Sequence, residues 1–204
     1  MVDVSKLAEA YREAESAIRS VEIITNKVPI PALNEMRYAA YHAIAFLLAG
    51  DYKQKEEEFG KSVSHCHRAY FDAQSFMLLS LYSRVKNIRD GLGEYLHFFP
   101  EMVGEPYSAK KAAVEKARAF LETLRTVRKD AQRWEKRDEL YESCKPHIEA
   151  CRAYIQTFES IREELCSKVD AAKAAEKKSS HSWWISAIIA IVGILTTIAA
   201  AALF

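Results

Sequence analysis

Glycine and proline are scarce in this chain, with six and five among 204 residues. So few turn formers, and the lack of any run alternating apolar with polar residues, exclude a sheet-built fold and leave an all-α one. Neither sign of charge is in surplus. A net charge of +1 gives no global field of the kind that draws a protein to nucleic acid. The four cysteines, Cys66, Cys144, Cys151 and Cys166, show no CxxC spacing and no pairing pattern. They read as reduced, mostly buried thiols. H-x3-H is absent too, so neither a metal nor a cofactor is expected. Charges occur throughout residues 1–30, so no secretory signal is expected there.

The most telling absence is of charge between Trp183 and Phe204, WWISAIIAIVGILTTIAAAALF. As a helix this run measures roughly 33 Å, enough for a bilayer core of about 30 Å. Only a helix satisfies such a backbone in lipid. Trp183 and Trp184 stand where an aromatic belt belongs. Lys173, Lys177 and Lys178 precede them and favour a body held in the cytoplasm. The expectation is a single-pass tail anchor in the cytoplasmic (inner) membrane, with the bilayer as partner; a buried core helix is the other reading.

The rest of the chain divides into helical stretches. Helix one is expected over Val4 to Ile24, and NKVPIP (Asn26–Pro31) breaks it. Helix two covers about Ala32 to Ala49. It is apolar nearly all round through MRYAAYHAIAFLLA, which marks a central helix covered on several sides. Helix three spans about Lys53 to Asn87, and an irregular connection runs from Gly91 to Pro106. Helix four extends from near Ser108 to about Glu142, with a seam at Val114, Ala117, Leu121, Leu124, Ala131 and Trp134. Helix five starts near Pro146 or is kinked there. This predicts an antiparallel bundle over 1–142, an amphipathic stalk and basic linker over 143–182, and a transmembrane helix over 183–204.

Helix five repeats apolar residues in steps of four and three: Cys144, Ile148, Cys151, Ile155, Phe158, Leu165, Val169 and Ala172, interrupted at Arg162. The same register continues through Ser186, Ala190, Gly193, Thr197 and Ala200. Small residues let spans approach closely, and Ser and Thr can hydrogen-bond across. The upper seam is expected to pack within the chain and the lower stripe to join copies into a homo-oligomer. The helix either continues from about 146 to 204 or breaks at Ser179–Ser182.

Two clusters could carry chemistry. Arg37 and His42 form an R-x4-H pair, in which arginine can hold a phosphate and histidine can move a proton. The plainer reading is a buried His42 bonded to a neighbouring helix. On helix three, His65, Arg68 and Asp72 share a face. A polar network linking Glu35 or Arg37 to these three is the expected structural role. The run KQKEEE (Lys53–Glu58) reads as a solvated first turn. Helix four is basic but interrupted by acids; it is a solvated face or a docking surface for anionic lipid or RNA.

NEMRYAAYH, followed by a long helix bearing HCHRAYFDA, resembles HEPN-superfamily helical bundles of bacterial anti-phage and toxin–antitoxin systems, over about residues 1–140. The resemblance implies a four- or five-helix bundle, usually dimeric, with Arg37 and His42 as a ribonuclease pair and Glu35 as a polar accessory. Three functions follow. The first is a membrane-anchored effector or accessory of antiviral defence that self-associates and perturbs the membrane. The second is a membrane-tethered, metal-independent ribonuclease acting on RNA. The third is a non-catalytic adaptor recruiting a protein partner of such a system.

Overall fold

The computed structural model describes the backbone of residues 2–129 and 137–201, and the side chains of residues 2–126, 140 and 143–178. Among the described residues the fold is all-helical, with no strand. Helix α1 (Val4–Thr25) starts where the Asp3 carboxylate accepts from the Ser5 N–H. It closes where Asn26 adopts φ 52°, its N–H donating to the Glu22 carbonyl. Helix α2 (Ile30–Leu48) carries Pro31 in its first turn, where an N–H is not needed. Asp51 caps α3 (Tyr52–Leu92) by accepting from the Gln54 N–H. Gly93, at φ 51°, ends it. A 3-10 turn (Gly93–His97), α4 (Phe98–Val103), α5 (Pro106–Lys129) and α6 (Arg137–Ala201) complete the order.

α3 is the spine. Its buried residues include Cys66, Ala69, Phe71, Ala73, Met77, Leu78 and Leu81, which point in several directions around the helix. Contacts pair Ala39 with Ser62, Glu35 with His65 and His42 with Glu58, so α2 runs antiparallel to α3. Small residues let these helices approach: Ala10, Ala39 and Cys66 form one cluster, and the buried Ser62 Oγ donates to the Ala39 carbonyl at 2.8 Å. Farther along α3, Arg89 pairs with Glu115 of α5 and Arg84 with Glu159 of α6. One core joins Val21, Leu78, Val114, Ile148 and Leu165 from α1, α3, α5 and α6.

Helix two is therefore not the covered, central helix its composition suggests. Ala32, Met36 and Ala39 face inward, while Ile30, Ile44, Leu47 and Leu48 are exposed. An apolar residue lowers free energy wherever water is excluded, and all-round apolarity does not say which molecule excludes it.

α6 begins at Arg137, so residues 137–142 belong to it rather than to helix four. Pro146 thus lies inside the helix, on an exposed position. The expected seam is buried at Cys144, Ile148, Cys151, Ile155, Leu165 and Val169, and Arg162 is exposed where it interrupts. The seam packs on α3 and α4 as well as on α5. Phe99 of α4 meets Tyr154 and Phe158 edge-on, and His147 stacks on Phe120 of α5. Burial pushes the Cys144 thiol up to about 12. Toward the far end of the packed stretch, the Tyr95 hydroxyl donates to Glu176 at 2.7 Å and Lys173 lies over the Tyr95 ring.

The backbone of α6 continues without a break through Ser179–Ser182 to Ala201, 65 residues or roughly 97 Å. Among the described residues no helix is long and apolar enough to cross a membrane. The charge-free run lies beyond them in its side chains, as do the expected seam positions Ala131 and Trp134.

Candidate functional site

The sharpest polar geometry lies between α2 and the first half of α3. Glu35 and His42 are seven residues apart on α2, two turns along one face. α3 answers with Glu58 and His65, also seven apart. Antiparallel packing crosses the pairs: His42 Nδ1 sits 2.6 Å from Glu58 Oε2, and His65 Nδ1 sits 2.7 Å from Glu35 Oε2. The two imidazoles stack with centroids 5.1 Å apart and planes 11° from parallel. Tyr41 meets His42 edge-on, and Tyr38 lies against His65. Both histidine side chains are mostly buried, at 18% and 14% exposure.

Each carboxylate can only accept, so each Nδ1 carries the proton and Nε2 is the basic nitrogen of the neutral ring. Two carboxylate-oriented imidazoles in contact can act as a base and an acid toward one bound group. Parallel rings do not aim their Nε2 lone pairs at a common point, which suits a metal poorly. Among the described residues no group of three or more His, Cys, Asp or Glu is placed to hold a metal ion. Lys61 hydrogen-bonds Glu58 at 2.9 Å. Lys61 first, and His42 second, hold the Glu58 carboxyl below its ordinary 4.5. Arg68 Nε lies 3.6 Å from Glu35 and also donates to the Ser64 carbonyl.

Glu35, His42, His65 and Arg68 therefore meet at one site. Asp72 lies a turn beyond Arg68, half-buried on α3. Arg37 is elsewhere. Five residues separate it from His42, or about 140° around the helix. It is exposed, with its guanidinium 5.6 Å from the Tyr38 ring centroid. From the sequence Glu58 reads as part of a solvated turn, yet its side chain is only 14% exposed. The signal was present: Glu58 stands seven residues before His65, mirroring Glu35 and His42.

A second concavity of about 790 Å³ opens between α3 and α5, lined by Lys86, Arg89, Arg118, Arg125, Asp90 and Glu122 among others. Its cations are already matched: Lys86 with Asp90, Arg89 and Arg118 with Glu115, and Arg125 with Glu122. Carboxylates beside these four cations thus balance the charge lining this cleft. Lys177 and Lys178 are exposed on α6. The side chains of Trp183, Trp184, Ser186, Ala190, Gly193, Thr197 and Ala200 lie outside the described residues. No family model, curated protein or solved structure matches this chain.

Proposed function

We propose that this chain is a single-pass membrane module whose helical body is held at the cytoplasmic face. Its copies associate through Ser186, Ala190, Gly193, Thr197 and Ala200, and their assembly perturbs or perforates the bilayer. The observation that carries this reading is α6. One face of that helix is locked into the bundle core from Cys144 to Val169, and the same helix runs unbroken into the charge-free sequence. A rotation or approach of the bundles is then transmitted as a rotation or approach of the spans, because a continuous helix has no swivel between them. The setting in bacterial defence, with a protein partner of such a system, rests on the resemblance of NEMRYAAYH and HCHRAYFDA.

A second reading is favoured by the stacked His42–His65 pair, which has the makings of a proton-transfer site for RNA cleavage with no metal or cofactor. One experiment separates the two. The full-length chain in dye-loaded vesicles should release the dye, and Gly193→Leu, which blocks close approach of spans, should cut the release rate at least tenfold. His42→Ala should leave release unchanged. Loss of release on His42→Ala with none on Gly193→Leu would move the activity to the histidines. Vesicles that stay sealed with the native chain would rule out perforation.

A further inference from the structure

The outer face of α2 has a coiled-coil order. Taking Ile30 as position a, the a positions are Ile30, Arg37 and Ile44, and the d positions are Leu33, Ala40 and Leu47. Tyr41 and Leu48 follow at e. All eight residues are exposed. Ile30 is 59%, Leu33 40%, Tyr41 67%, Ile44 58%, Leu47 73% and Leu48 80% accessible. Those six residues together leave roughly 800 Å² in water, backbone and the Tyr41 hydroxyl included, comparable with what each partner contributes to a standard-sized interface. An apolar groove of about 560 Å³ adjoins the face, between α1 and α2, lined by Val4, Leu7, Tyr11, Ala40, Ala43 and Ile44 among others. Ala40 and Ile44 belong to both.

From this face we infer a two-fold interface with a second copy of the chain, in which α2 pairs with α2 in parallel, in-register fashion. Three observations select that occupant. β-branched residues at a with leucine at d favour two parallel strands over higher assemblies. A single polar residue at a, here Arg37, fixes register at a cost in affinity. The exposed area matches what one copy must contribute to a stable pair. Arg37 is then a register residue of the interface, set apart from the His42–His65 site on the flank of the same helix. The inference concerns self-association, as the membrane reading does, but it uses a different surface and stands without the span.

The test is disulfide trapping of the full-length chain in phosphatidylcholine–phosphatidylglycerol vesicles. Cys66, Cys144 and Cys151 are buried, so Cys166→Ser removes the exposed native thiol. On that background Leu33→Cys, Ile44→Cys and Leu47→Cys should each cross-link to themselves in most molecules under mild oxidation. Arg19→Cys, exposed on α1, should stay at background. Equal yields at Ile44 and Arg19 overturn the inference. So does cross-linking of Leu33→Cys to Leu47→Cys in mixed samples with neither variant linking to itself, which marks an antiparallel pair. In detergent, Ile44→Asp with Leu47→Asp should weaken the dimer at least tenfold with unchanged helicity, and Arg37→Ile should tighten it. Adding Gly193→Leu separates this interface from the span: α2 cross-links should persist while dye release falls, and cross-links that persist with release undiminished support the interface and count against the membrane reading. Loss of α2 cross-links in that background overturns the interface.

Discussion

Ile189→Arg with Leu195→Arg should release the chain from membranes. Each arginine near the centre of a span costs about 2.5–3.5 kcal/mol of insertion free energy. Together they cost roughly 6 kcal/mol, about four decades in partitioning. Flotation of vesicles through a density gradient reads the result directly. Native chain should rise with the lipid, and the double variant should stay at the bottom. The far-ultraviolet signal of the bundle should survive, because the core among the described residues is drawn from positions 14–165. If the variant still floats as well as the native chain, the charge-free run is not what holds the protein to lipid.

Leu165→Ala should destabilise the bundle by about 3 kcal/mol, roughly 10 °C in Tm for a domain of this size. Leu165 is fully buried although it lies on the stretch that reads as a stalk from its sequence. On a free stalk the same change would move stability by no more than about 0.5 kcal/mol. Exposed Cys166, next in sequence, supplies the control: Cys166→Ala should leave Tm unchanged. Thermal unfolding followed at 222 nm in detergent separates the two outcomes. A negligible shift at Leu165 would detach α6 from the core and with it the rigid link between body and span.

The α6 seam was legible because a 3.5-residue repeat is periodic, local and long. Every residue it singled out between Cys144 and Val169 is buried or half-buried. The boundaries of α1 were legible for the same reason and because Asp3 and Asn26 are cap residues. The start of α6 was not. Pro146 signals a first turn, yet an exposed proline is tolerated within a helix when α3, α4 and α5 hold that helix on its other faces. The role of α2 was misread because hydrophobicity along one helix does not distinguish burial in its own chain from exposure awaiting a second. The Glu35–His65–Arg68 link was readable as a polar network between two helices. The His42–Glu58 contact was not, because KQKEEE carries the composition of a solvated turn. Only antiparallel packing of α2 on α3 brings Glu58 under the imidazole. Arg37 and His42 are near in sequence but about 140° apart on the helix, so spacing alone joined two residues that the fold points in different directions.

The charge-free end of α6 is expected to lie across a bilayer and to carry the bundle beside it. Proteinase K added outside sealed vesicles that display the bundle on their outer face tests this most directly. Digestion of the body should leave a lipid-protected fragment beginning close to Trp183. Complete digestion of the tail along with the body, with no protected fragment in intact vesicles, would contradict it.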